Sequence, residues 1–262
     1  MDQVARSVDA TPDLLPLLPA LFEGLDALGS CPGRIASLVG ACAPRGGRLL
    51  DLACGKGAVA VEVARRLPFR VVGVDACRAF VERARERAHR TGVGRCCRWI
   101  EADVRAYARG CRARFDVAMM IGLLPLPQAA PLLRGLTRPG GVYVVDDAVR
   151  DDRHPGARRF EGVPDGRECR RLVEELGDRV IRRVMVPRGA VASQNRRILR
   201  VLASRVAALA KSHPERAGSL RAFLTRQRSA SRLLLGPLRA TIWVIARGPD
   251  CPRGGGPGRG SR

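Results

Sequence analysis

Lysine is almost missing from this chain: of 47 basic residues only Lys56 and Lys211 are lysines, and the rest are arginines. Aromatic side chains are scarce too, at 4%, which leaves few ring faces on which flipped or unpaired bases can stack. No apolar run is long enough to span a bilayer. The apolar stretch Leu14-Leu15-Pro16-Leu17-Leu18-Pro19 has no basic region ahead of it and is interrupted by prolines, so it does not read as a signal peptide. No Cys-x-x-Cys pair occurs among the nine cysteines, and Cys96 and Cys97 are adjacent rather than spaced for a metal. Scattered thiols, odd in number and mostly inside apolar segments, point to reduced cysteines, no metal centre and a cytoplasmic location.

What remains is a soluble globular composition. The chain has 262 residues, 46% hydrophobic and 27% charged, enough for one good core with an appended lobe. Its formal net charge is +22. Arginine in place of lysine, beside many Ala, Gly and Pro residues, fits the coding habit of a GC-rich genome; the functional alternative is attraction to anionic partners. Between Arg179 and Arg239 there are fifteen basic residues and one acid, Glu215. A habit spread along the chain does not concentrate in this way, so a local purpose stays open.

The organising stretch is Arg48 to Arg65, RLLDLACGKGAVAVEVAR. Leu49 to Ala53 suit a buried strand, Cys54-Gly55-Lys56-Gly57 a tight turn, and Ala58 onward a helix. Glycines let a ligand approach the main chain, and the amides that open the next helix then face it. Gly55, Gly57 and Ala60 also satisfy the loose G-x-G-x-x-A pattern of dinucleotide binders. Asp51 decides between ligand classes. A carboxylate on the strand just before the turn suits a positively charged amino group and repels a pyrophosphate.

Read together, Leu49-Leu50-Asp51-Leu52-Ala53-Cys54-Gly55-Lys56-Gly57 resembles the first motif of the class I S-adenosylmethionine-dependent methyltransferases, apolar-apolar-Asp/Glu-apolar-small-x-Gly-x-Gly. The resemblance implies S-adenosylmethionine as cofactor, held by Asp51, Ala53, Cys54, Gly55 and Gly57. Phe69 to Asp75 reads as a second strand, and Asp75 lies 24 residues after Asp51. One βαβ unit brings such a strand end alongside the first, where Asp75, with Ala76 after it, can accept hydrogen bonds from both ribose hydroxyls. The alternative for Asp75 is capping of the helix that Ala76-Cys77 opens. In the resembled family an acid and the next amide after the third strand read the adenine edge, a role that falls by position to Asp103 and Val104. Phe115 to Gly122 is similar to the family's fourth strand, with Ile121 and Gly122 close to the sulfonium. Thr137-Arg138-Pro139-Gly140-Gly141 is similar to the turn that precedes the family's fifth strand.

Alternating strands and helices to this point predict a parallel, doubly wound α/β sheet. Helices are expected over 11–28, 35–42, 76–89, 128–136 and 168–176, and further strands over 96–100, 142–145, 179–186 and 241–247. In the resembled family the last strand inserts antiparallel between strands five and six, which implies a seven-stranded, mostly parallel Rossmann-like methyltransferase fold. Strands six and seven usually have a short link; here more than fifty residues intervene, with helices expected over 196–211 and 214–228. The resulting organisation has N-terminal helices (1–46) covering the cofactor and substrate end and a core of 47–188 and 238–248. A basic helical lid (189–237) and a Gly/Pro-rich disordered tail (249–262) complete it. The Leu28 to Pro32 step and Asp146-Asp147 further resemble a bacterial small-molecule branch of the family.

Methyl transfer from a sulfonium needs alignment and exclusion of water more than covalent help, and a base only where the acceptor must lose a proton. Asp146 and Asp147, at the end of strand five, are the candidate catalytic residues. Alternation turns one of them to the pocket, to bind or deprotonate the acceptor; helix capping or solvation is the alternative. Catechol-type methyltransferases use acids here for magnesium and need another after strand four. This chain has Ile121-Gly122-Leu123-Leu124 there, so no metal is expected. The expected activity is methyl transfer to an O, N or other nucleophile of a small molecule, an anionic one if the lid arginines steer it. A nucleic-acid methyltransferase using the basic insertion is the rival. Against it stand the missing Asn/Asp-Pro-Pro-aromatic and Pro-Cys motifs and the few aromatics. A catalytically inactive binding module is the third reading.

Overall fold

The computed structural model describes residues 10–27 and 31–249. Leu28 to Ser30 of the step noted above, the first nine residues and the tail from residue 250 lie outside the described residues. The strands are β1 Gly47–Leu52, β2 Phe69–Asp75, β3 Cys97–Glu101, β4 Phe115–Ile121, β5 Thr137–Arg150, β6 Arg179–Met185 and β7 Leu238–Ala246. They form one sheet in the order β3-β2-β1-β4-β5-β7-β6. Pairs from β3 through β5 are parallel, and β7 runs antiparallel to both neighbours.

Strands apolar on both sides need helices on both faces. Side-chain alternation divides β1 accordingly: Leu50 and Leu52 enter one core, Leu49 the other. The first core is closed by α5 (Val104–Gly110), α6 (Leu126–Leu136) and α7 (Gly166–Glu175). The second is closed by α2 (Pro32–Cys42) and α3 (Ala58–Arg66), with α4 (Arg78–Arg90) packed beside α3 and against β2 and β3. A third cluster lies apart from the sheet. It joins Leu14, Leu18, Leu21 and Phe22 to Phe80 of α4 and to Leu202 and Phe223, from helices α8 (Arg188–Ser212) and α9 (Ala217–Leu235). Asn195 Nδ2 donates to Ser231 Oγ across those two helices at 2.9 Å, which fixes them as an antiparallel pair.

Three expectations change. The single helix over 11–28 is instead a 3₁₀ segment, Pro12–Leu17, running into the short helix α1, Leu18–Leu21. Pro16 and Pro19 lack the N–H that a continuous helix needs, which explains the break. The Arg138 to Gly141 turn is absorbed into β5, which starts at Thr137. Its pairing with β4 shifts register between Phe115 and Val117, and Gly140 takes φ of 73° there. The insertion helices are longer than 196–211 and 214–228, because α8 starts at Arg188 and α9 runs on to Leu235.

At the amino edge of the sheet, Asp178 is buried and accepts hydrogen bonds from Tyr143 Oη at 2.8 Å, Arg134 Nε at 3.2 Å and Gly248 N at 2.9 Å. Successive strands are added to one side from β1 to β3 and to the other side from β4 on. A crevice therefore opens at the opposite, carboxyl edge between β1 and β4, where ligands of doubly wound sheets bind.

Candidate active site

β1 delivers Asp51 and then the glycine turn to this crevice. Ala53 and Cys54 donate their amides to Val74 O at 2.8 and 3.0 Å, and Gly57 N closes the turn on Cys54 O at 2.9 Å. Ala53, Gly55 and Gly57 all have positive φ, 64°, 52° and 72°. For Ala53 that is a strained conformation, held by its place between β1 and β2. Cys54 is buried, and burial followed by the nearby Asp51 and Asp75 charges pushes its thiol well above the ordinary range, so it is an inert thiol.

Asp51 is only 2% exposed, and its Oδ1 atom has no hydrogen-bond partner. Burial, then the Asp75 charge, pushes its carboxyl well above the usual carboxylate range. An orphaned buried acid is a liability unless a cationic group meets it. Asp75, at the end of β2, accepts from Gly55 N at 2.8 Å through Oδ2 and from Cys77 N at 2.9 Å through Oδ1. Burial raises its carboxyl as well, while the Cys77, Gly55 and Ala76 amides oppose the rise. Asp75 thus braces the glycine turn on one side and the turn that leads into α4 on the other, without capping the helix itself. Asp103 is exposed after β3 and caps α5, accepting from Ala106 N at 2.8 Å; half-buried Val104 opens that helix.

Ile121 ends β4 and pairs with Asp146 of β5, and Gly122 N donates to Asp146 O at 3.0 Å. Gly122 has φ of 70°, and a Cβ built there, as at Gly55, would meet nothing within 4 Å. These two glycines therefore leave open space on either side of the crevice. Gly57 differs: a Cβ there would lie 2.8 Å from the Trp99 ring and 2.9 Å from Ala84. Its small size serves packing between the turn, β3 and α4.

The two candidate catalytic acids separate by face. Asp147 follows Tyr143 and Val145 towards the first core, accepts from Leu126 N at 2.8 Å and Ala148 N, and so caps α6. Burial raises its carboxyl, and those two amides oppose the rise. Asp146 follows Val142 and Val144 onto the face shared with Asp51. From the strand register it stands two strands across and two residues further along, about 12 Å from Asp51.

Sequence reasoning passed over three features. Lys56, between the two glycines, donates from Nζ to Phe22 O at 2.6 Å and Leu25 O at 3.0 Å. Its identity as one of two lysines was the available signal. Trp99 fills the space left by Gly57 and Gly73, which no local pattern announces. Beyond β5, a hollow of about 490 Å³ opens among Arg153, His154, Arg158 and Glu161.

The orphaned Asp51, the open space at Gly55 and Gly122 and the neighbouring strand-end acids fit an adenosyl amino acid, whose ammonium Asp51 would meet. Sheet order, antiparallel β7 and this turn define the Rossmann-like methyltransferase fold. Residues 49–141 match the family described as methyltransferase domain. The structure is similar to that of an S-adenosylmethionine-dependent methyltransferase from Thiobacillus denitrificans in complex with S-adenosyl-L-homocysteine, at 20% identity and a TM-score of 0.71, covering 88% of this chain and 98% of that one. It is similar also to the [4+2]-cyclase SpnF, at 17% identity and a TM-score of 0.67, covering 95% and 98%. A coclaurine N-methyltransferase bound to N-methylheliamine and S-adenosyl-L-homocysteine aligns at 14% identity and a TM-score of 0.62, covering 92% and 80%. A search of curated proteins gives no match. The chain thus has the Rossmann-like methyltransferase fold, and residues 49–141 match a methyltransferase domain.

Proposed function

We propose that the protein transfers the methyl group of S-adenosylmethionine to a nucleophilic atom of a small molecule. The observation that carries this reading is Asp51, a buried carboxylate with an unpartnered oxygen directly before the glycine turn. When bound, the cofactor supplies an already activated methyl group, so the protein's part is to align the acceptor and exclude water. Asp51 would hold the ammonium, Ala53, Cys54 and Gly55 the approach to the main chain with Gly57 keeping the turn packed on Trp99, Asp75 and Ala76 the ribose, and Asp103 and Val104 the adenine edge. Ile121 and Gly122 would border the reacting methyl. Asp146, rather than the helix-capping Asp147, is the acid on the cofactor face and the candidate to bind or deprotonate the acceptor.

A small acceptor is favoured because α8, α9 and the N-terminal segment meet in an apolar cluster of their own, as a lid over the carboxyl edge would. Arg153 and Arg158 beyond β5 suit an acceptor with an anionic end. Among neighbours of this fold, the coclaurine N-methyltransferase holds a small organic ligand.

A nucleic-acid acceptor is the second reading, motivated by α8 and α9, which contain no acid and expose Arg196, Arg197, Arg200, Arg221, Arg228 and Arg232. Isothermal titration with S-adenosylmethionine and with NAD tests the cofactor: binding of the former alone is expected, and a preference for NAD contradicts the proposal. Filter retention of RNA across a salt series tests the acceptor class. No retention at low salt is expected, and strong salt-dependent retention favours the second reading.

A further inference from the structure

Lys56 does more than occupy the turn. Its two carbonyl partners, Phe22 O and Leu25 O, lie just past α1, in a turn that Leu25 N also closes on Phe22 O at 3.1 Å. The ammonium also sits 5.5 Å from the centre of the Phe80 ring, which Phe22 meets edge-on at 6.1 Å. Phe22 meets Phe223 of α9 in the same way at 5.9 Å. The segment's acids are tied outward as well, Asp26 to Arg87 of α4 at 2.6 Å and Glu23 to Arg205 of α8 at 2.9 Å. On its other side Lys56 is bonded through the chain to Gly55, whose amide is fixed by Asp75. Three donors on one short-headed ammonium reach two carbonyls from a turn that a planar guanidinium would crowd.

We propose that Lys56 is a positioning residue that couples the order of the N-terminal cover, residues 12–25, to cofactor binding at the glycine turn. This rests on the reading above that the turn holds S-adenosylmethionine. Displacing the cover pulls on Lys56 and therefore on the left-handed pair Gly55 and Gly57. By reciprocity, a ligand that fixes those glycines also fixes the cover.

The test is amide hydrogen exchange of the full chain with and without S-adenosyl-L-homocysteine, alongside titration calorimetry, for wild type, Lys56→Met and Lys56→Arg. Methionine keeps a stem that packs on Phe80 and removes the donors; arginine keeps the charge in a different shape. In the wild type, ligand is expected to slow exchange over 14–25. In Lys56→Met the cover exchanges faster, protection of β1 and β4 is unchanged, ligand adds little protection to 14–25, and affinity falls about tenfold. Lys56→Arg recovers part of both. Wild type that binds ligand without any change over 14–25 overturns the proposal, as does a Lys56→Met protein with full affinity and coupling. If Lys56→Met does not fold, the wild-type comparison and Lys56→Arg decide. A wild type that fails to bind the ligand overturns the cofactor reading, and this inference with it.

Discussion

At Asp51, burial and charge oppose each other in the ligand-free protein. Its folded-state carboxyl titrates well above the ordinary value of 3.8, so the folded state holds its proton longer than the unfolded chain does. The stability this contributes is complete below that ordinary value and is lost as pH rises through the raised one. Asp75 and Asp147 shift in the same direction. The contribution of these three carboxyls to ligand-free stability should therefore fall from about pH 4 upward, seen for Asp51 as the difference between wild type and Asp51→Asn midpoints across pH, and S-adenosyl-L-homocysteine should flatten the fall by favouring ionised Asp51. Asp51→Asn should raise the ligand-free melting temperature at pH 7 by about 2 °C or more while weakening ligand binding. The glycines divide in a similar way. Gly55→Ala meets only open space, so it costs about 1–2 kcal/mol through its left-handed backbone and mainly lowers ligand affinity. Gly57→Ala adds overlap with Trp99 and Ala84 and should lower stability further, as chemical denaturation would show. The sequence pattern marked both glycines as ligand approaches. It could not separate them, because Trp99 arrives from a strand that only the folded sheet brings near.

Among the elements the strands were the most legible, since β-branched apolar runs between helix formers leave few alternatives to a doubly wound sheet; the place of β7 came from the family resemblance. Asp51 and Asp75 could be placed at strand ends from pattern and spacing, Asp103 and Gly122 from the resemblance to the methyltransferase family. Less legible were features settled by distant partners. Whether the Arg138 to Gly141 stretch turns or pairs depends on the end of β7, where Gly140 N donates to Arg247 O and Arg247 N to Gly141 O. Asp146 and Asp147 read alike until alternation in β5 sends one to each face. The Asp178 cluster was invisible, because Tyr143, Arg134 and Gly248 are far apart in sequence. Asp178→Ala should cost about 3–5 kcal/mol by leaving buried partners unpaired, against about 1 kcal/mol for Tyr143→Phe. Since the cluster sits at the amino edge, ligand affinity in Tyr143→Phe should equal that of wild type; a matching loss of affinity would show that the two edges are coupled.

For the whole molecule, one sheet supports two separate tasks. The amino edge is closed by buried hydrogen bonds, while the carboxyl edge is left with strained turns and an orphaned acid, and the N-terminal segment, α8 and α9 share an apolar cluster apart from the sheet. Unfavourable local features gathered at one edge are what a binding site requires, because a ligand can relieve them. The most direct measurement is calorimetric comparison of S-adenosyl-L-homocysteine with 5′-methylthioadenosine, which lacks the amino-acid arm, on wild type and Asp51→Asn. The account predicts that wild type prefers the homocysteine compound by tenfold or more, roughly the worth of one charged hydrogen bond, and that Asp51→Asn loses most of that preference. Equal preference in the two proteins would contradict it.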